Sequence, residues 1–281
     1  MTAAGRALMA GLVDYAGLFP PAGLGMLEAV RRYRGYLAGP DRWALGRFVV
    51  PATRLAEFES AFEEVCCGER EAVWPLSVLG AGGLDRLTRG AVRVESLEVK
   101  AADARETERL LSELGSEIPG YVEFAPVDAD AMLPVLTRHG ARAKIRMGGV
   151  TAEAFPSGEA VADFLLACAR ERVPFKATAG LHHAIRGTHK LTYEVETAQA
   201  MMYGFANVFL AAALAWRGAE KRALVETLEA REFQFGEDGA RWAGFELSAE
   251  EIVTARREFA MSYGSCSFEE PVGEAKALGW V

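Results

Sequence analysis

Lys176 sits inside a short apolar run, Val173-Pro-Phe-Lys-Ala-Thr-Ala-Gly180, and two adjacent histidines, His182 and His183, follow it. A strand buried on both faces is nearly all apolar, so a lysine in the middle of one needs a reason. Three further runs share the anomaly. Glu98 and Lys100 lie two apart in Val94-Glu-Ser-Leu-Glu-Val-Lys100, and Glu123 lies between Val122 and Phe124. Lys144 and Arg146 lie two apart in Ala141-Arg-Ala-Lys-Ile-Arg-Met147, as Lys176 and Thr178 do in theirs. Positions two apart on a strand share a face. Isolated charge is rarely buried, so four such strands side by side predict one network, with Glu123 between Lys100 and Lys144.

That set of side chains supports three kinds of chemistry. Crowded by neighbouring cations and partly desolvated, the Lys176 amine would have a lowered pKa and act as a neutral nucleophile; alternatively it stays protonated and binds an anionic oxygen. Glu123 can shuttle a proton or hold a lysine in place. Arg146 offers a planar fork for carboxylate or phosphate. The candidate catalytic residues are therefore Lys176, Glu123, Lys144 and His182, with Arg146, Lys100, Glu98, Thr178, His183 and Asp14 as candidate substrate contacts. The competing reading is a structural ion-pair network that merely fills the interior.

The elements that must position these residues recur at about 25 to 30 residues: an apolar run, a loop, then an amphipathic helix. Strands are expected within 11–19, 46–51, 72–79, 94–100, 120–125, 141–147 and 173–178. Helices are expected near 24–37, 53–65, 104–114, 129–139, 157–171 and 194–217, with only a short one behind the third strand. Alternation of this kind means βαβ units and a parallel sheet, and right-handed crossovers repeated seven or eight times close most naturally into a single (β/α)8 TIM-like barrel spanning 1–281. A flavodoxin-like open sheet is the alternative. Residues 231–247 read as an inserted hairpin turning at Glu237-Asp-Gly239, Ser248-Ala-Glu-Glu as a capping box, and 260–268 as the last barrel strand. In such a barrel the C-terminal strand ends carry the site.

The span Ala143-Lys-Ile-Arg-Met-Gly-Gly149, followed by Phe175-Lys-Ala-Thr-Ala-Gly180, resembles the deoxyribose-phosphate aldolase branch of class I aldolases. That resemblance, covering about 141–187, implies a lyase that makes or breaks a carbon–carbon bond through a Schiff base at Lys176. The family's second lysine, on the following strand, has no clear counterpart, and the His182-His183 pair is not part of its pattern. Glu98-Val-Lys-Ala-Ala-Asp103 is similar to the Asp-x-Lys-x-x-Asp motif of the orotidine-phosphate decarboxylase superfamily, with glutamate in place of the first aspartate. An isomerase, decarboxylase or hydrolase assisted by a metal or a carboxylate, or a non-catalytic ligand-binding barrel, would use the same interior.

Composition narrows the partners. A net charge of −8 disfavours a nucleic-acid binder and an anionic membrane surface, while a small anionic substrate can still meet a local basic pocket. Cys66, Cys67, Cys168 and Cys266 form neither a zinc pattern nor a disulfide framework and fit a reducing cytoplasm. No apolar run reaches the roughly 20 residues of a membrane span. No GxGxxG or Walker loop is present, so no nucleotide cofactor is expected, although the glycine turns at 80–83 and 148–149 could offer backbone N–H groups to an anion. Adjacent His182 and His183 diverge on an extended segment, so no metal is expected there, and His189 lies too far along the loop to place. Asp14 either enters the site or caps its turn. Cys266 is a buried thiol by default, with a nucleophile as the sharper option. The segment 199–217 is apolar nearly all round, which predicts core packing or a homodimer seam.

Overall fold

Short runs rich in β-branched and aromatic residues, each followed by a loop and an amphipathic helix, become the parallel strands of a closed barrel. The computed structural model describes residues 1–66, 73–80, 82, 92–115 and 117–281. Cys67, part of the 80–83 glycine turn and the short helix expected behind the third strand lie outside the described residues. Seven barrel strands follow in chain order: β1 (Val13–Tyr15), β2 (Leu45–Pro51), β3 (Trp74–Leu79), β4 (Val92–Lys100), β5 (Gly120–Glu123), β6 (Arg142–Arg146) and β7 (Phe175–Thr178). Two small sheets then intervene, β8 (Gly187–Lys190) with β9 (Gln199–Met202), and β10 (Gln234–Phe235) with β11 (Gly239–Trp242) and β12 (Phe245–Ser248). The eighth barrel strand, β13 (Ala260–Ser265), pairs with β7 on one side and β1 on the other. Closure excludes the open sheet and gives the (β/α)8 TIM-like architecture.

The helices are α1 (Ala3–Met9), α2 (Met26–Ala38), α3 (Leu55–Cys66), α4 (Ala104–Leu114), α5 (Ala129–His139), α6 (Gly158–Arg170), α7 (Phe205–Trp216), α8 (Lys221–Glu229), α9 (Ala249–Glu258) and α10 (Glu269–Ala277). Their starts are chemically marked. Asp103 and Ser157 accept backbone N–H groups at the heads of α4 and α6, and Ser248 with Glu251 forms the expected capping box on α9. None of these helices, among the described residues, is long and apolar enough to cross a membrane.

One expectation needs correction and another an extension. The helix expected over 194–217 starts only at Phe205, because 199–202 pair antiparallel with 187–190 as a hairpin. Gly204 sets that break: a Cβ there would lie 2.4 Å from Ala184 O and Ile185 Cα, so the chain passes too close to 184–185 for any side chain. The 231–247 insertion contains the expected hairpin, β10 with β11 turning at 236–239, and goes beyond it, because β12 adds a third strand. Its second turn is Ala243-Gly244, both at positive φ, and an alanine in that conformation gives no turn signal. Helix α7 is buried from Phe205 to Ala215 against α6, α8 and α9. Its apolar surface is thus covered by its own chain, which removes the reason for a dimer seam there.

The N-terminal end of the barrel is held by Arg256, a guanidinium with no carboxylate partner among the described residues. It donates to Leu8 O at 2.8 Å and Ala10 O at 3.1 Å, and also to Ala260 O and Met261 O, with the Phe209 ring 5.2 Å away. Desolvation brings its pKa down to about 10, which leaves it charged at neutral pH. Arg256→Met removes the donor shared by four carbonyls where the chain enters β1 and β13. It is expected to cost about 3 kcal/mol of stability in urea denaturation; a loss below about 1 kcal/mol would show that this contact matters little.

Candidate functional site

Parallel pairing places Lys100, Glu123, Lys144 and Lys176 in one register row across β4, β5, β6 and β7. The row is the origin of the charged interior, and the partners come from further round the barrel. Lys176 Nζ lies 2.6 Å from Glu98 Oε1 and 2.7 Å from Asp14 Oδ2 on β1, over the Tyr121 ring at 5.5 Å. Lys144 Nζ lies 2.8 Å from Glu98 Oε2 and 2.9 Å from Glu123 Oε2, and Arg146 Nε is 2.9 Å from Glu123 Oε1. The result is an alternating chain Arg146, Glu123, Lys144, Glu98, Lys176, Asp14.

Hydroxyls and a backbone amide complete the carboxylates. Ser77 donates to Glu98, Ser262 donates to Asp14 Oδ2 at 2.7 Å, and the Arg47 amide donates to Asp14 Oδ1 at 2.8 Å. Gly46 leaves the room Asp14 needs, since a Cβ there would lie 2.3 Å from Oδ1.

Of the two alternatives for Lys176, these contacts favour the protonated cation over the lowered pKa. Desolvation does lower it, but the attraction and hydrogen bonds of Asp14 and Glu98 outweigh burial and carry it well above the ordinary lysine value. Burial likewise works to raise Glu98, and Lys144 with Lys176 outweighs it, holding that carboxylate far below its usual range. Glu123 is lowered in the same way, against its own burial, by Lys144 and Arg146. The sequence signalled the crowding cations and offered Asp14 as a substrate contact or a turn cap; it did not pair Asp14 with Lys176, which is 162 positions away.

A cavity of about 1110 Å³ opens at the C-terminal strand ends. Nine of the ten candidate residues line it: Lys176, Glu123, Lys144, His182, Arg146, Lys100, Glu98, Thr178 and His183. Asp14 does not; it is fully buried and reaches the site only through Lys176. Lys100 is exposed at the mouth without an ion-pair partner among the described residues, and the Arg146 side chain is half exposed. Phe19, Pro20, Pro21, Val49 and Leu79 supply an apolar wall. At the rim the loops after β6 and β7 touch, a Cβ at Gly180 falling 2.8 Å from Gly148 Cα, and both Ala179 and Gly180 have positive φ. The glycines of that motif thus serve a close backbone approach.

The loop after β7 brings a second set of groups. His182 and His183 diverge, as adjacent residues should, onto two carboxylates one helical turn apart on α10: His182 Nδ1 is 3.3 Å from Glu270 Oε2 and His183 Nδ1 2.6 Å from Glu274 Oε1. Desolvation lowers the His182 pKa, but Cys266 and Glu270 outweigh it and bring it up to about 9. His189, on β8, stacks on His183 with ring centroids 3.4 Å apart, and its Nε2 is buried without a partner. Burial and the neighbouring His183 lower its pKa. His189, Tyr193, Glu270 and Glu274 were missed as site residues. The i, i+4 glutamates of the last helix were the available signal. Among the described residues no group of three or more His, Cys, Asp or Glu side chains is arranged to hold a metal ion.

Glu98→Gln leaves Lys144 and Lys176 without their shared counter-charge and is expected to cost about 3 to 5 kcal/mol in urea denaturation. A cost under about 1 kcal/mol would mean that the ion pairs are energetically idle. The pH dependence has two sides. Glu98 and Glu123, with lowered folded pKa values, stabilise above the unfolded carboxylate value of about 4.3, and that stability is lost as pH falls. His182, with a raised one, stabilises fully below about pH 6.5 and loses its contribution, on the order of 3 kcal/mol, as pH rises to about 9. His182→Gln should flatten the stability curve between those limits; an unchanged slope would contradict the assignment.

No protein-family model matches the chain, and no curated protein matches it either.

Proposed function

We propose that the barrel is an enzyme of lyase or isomerase type acting on a small anionic carbonyl compound, by proton transfer next to the carbonyl. The observation that carries this is the meeting, in one solvent-reachable cavity, of buried lysines held by carboxylates, two cationic groups at the mouth and two histidines in different surroundings, His182 against Glu270 and His189 stacked on His183. Each buried lysine gives two of its three N–H donors to carboxylates, leaving one for a substrate oxygen. A negative charge developing on a carbonyl oxygen would be met by preorganised donors in a low-dielectric site. Lys100 and Arg146, at the mouth, suit the substrate's anionic group. His189 is the neutral imidazole that accepts a proton, and His182 is the imidazolium that returns one, following the rule that environments which separate two pKa values assign acid and base.

A covalent route through an imine at Lys176, as the aldolase-like motif suggests, is the second reading, favoured by the position of Lys176 on the cavity lining. It requires Lys176 to release its proton against two carboxylates that hold it, so the electrostatic route is preferred. Deuterium exchange into 2-oxo acids and phosphorylated ketones, followed by NMR, tests the proposal. At least one compound should exchange about a hundredfold or more faster than with buffer alone. Arg146→Met and Lys100→Met should each raise KM about tenfold with the fold intact. Absence of exchange across the panel would refute the proposal, and a borohydride-trapped adduct on Lys176 would replace the electrostatic route with the covalent one.

A further inference from the structure

The cavity wall also carries a sulfur, beside His182, that the acid–base scheme does not use. Cys266 lies in the loop between β13 and α10, lines the cavity and is 5% exposed. Its Sγ is 3.8 Å from His182 Nδ1, 3.9 Å from His182 Nε2 and 3.7 Å from the Tyr193 hydroxyl. Tyr193 in turn donates to Glu270 Oε2 at 3.0 Å, and the same oxygen is 3.3 Å from His182 Nδ1. A sulfur, an imidazole beside it and a carboxylate that fixes the imidazole are the three parts of an activated nucleophile. Cys168 is the internal contrast, since it is buried away from the cavity and burial pushes its thiol well up.

We infer that Cys266 is a nucleophilic thiol, activated by His182, that adds reversibly to the carbonyl carbon of a small aldehyde held in the cavity. The choice of electrophile rests on the carbonyl-binding function proposed above; the activation of the thiol does not. In the step, the thiol proton already rests on His182, so the thiolate of the pair forms the C–S bond as the C=O π bond opens. The oxygen then takes a proton from the His182 imidazolium, giving a thiohemiacetal with no change in oxidation state. The groups facing the sulfur are Tyr15 from β1, Tyr193 from the loop between β8 and β9, and His182; Glu270 from α10 stands behind Tyr193 and His182, with His183 beyond it. Of these, His182 supplies the positive charge a thiolate needs, and its raised pKa keeps that charge in place through neutral pH.

Alkylation of the full chain with iodoacetamide from pH 5 to 9, read by peptide mass spectrometry, tests the activation without reference to any substrate. A free thiol is only about 0.3% thiolate at pH 6, so Cys266 should react there at least about tenfold faster than N-acetylcysteine. His182→Gln should return the profile to one that rises through roughly pH 8.5. Thiolate absorbance of the wild-type chain minus that of Cys266→Ala gives the same titration should the histidine variant fail to fold. An unmodified Cys266 at pH 6, or a wild-type profile like that of the free thiol, overturns the inference. The electrophile is tested with 13C-labelled glyoxylate: a thiohemiacetal carbon resonance present in the wild type and lost in Cys266→Ala supports it. A reactive thiol that gives no such resonance overturns the aldehyde assignment and leaves the proposed proton-transfer function untouched.

Discussion

Glu98 is the point on which the interior turns. One carboxylate, 3% exposed, receives Lys144 on one oxygen and Lys176 on the other, so strands β4, β6 and β7 are tied through a single group. Two cations that close would repel strongly in a low-dielectric core. The shared anion turns that repulsion into a chain of attractions, which Asp14 and Glu123 extend to β1 and β5. Burying such a set is costly unless every partner is present and hydrogen-bonded, which explains the small residues packed around it: Ser77 and Ser262 at the carboxylates, Ser96 bonded to Ser77, and Gly46 beside Asp14.

That constraint also divides the cavity. The floor is fixed, its charges balanced by neighbours and its lysines held by two bonds each. The rim is made of longer excursions: the loop after β7, the β8–β9 hairpin and the start of α10, which meet through Tyr193, Glu270 and His182. A barrel supplies strand ends at fixed positions and leaves chemistry to the loops. Here the strands supply electrostatics and the loops supply titratable groups. In the second set, His182 and His189 are shifted in opposite directions by their surroundings.

Much of this was legible in the residue order. Periodic apolar runs gave the seven leading strands and most helices, because strand and helix periods differ and caps such as Asp103, Ser157 and Ser248 mark the starts. Charges inside apolar runs pointed to the lysine network, since a buried lysine without a purpose is rare. What sequence could not supply was the partner across the closure. Asp14 meets Lys176 only because β13 joins β1 to β7, and that pairing reversed the direction of the lysine's pKa shift. The hairpin at 187–202 was missed because its apolar second strand runs on into α7, with Gly204 the sole break. His189 was lost with it.

The central claim is that Lys176 works as a cation, clamped by two carboxylates. It is tested most directly by labelling lysine Nζ with 15N and following its resonance from pH 6 to 11, assigned by its loss in Lys176→Met. The account requires an ammonium signal that persists past the ordinary lysine midpoint of about 10.4. A neutral amine at pH 7 would contradict it and restore Lys176 as a nucleophile.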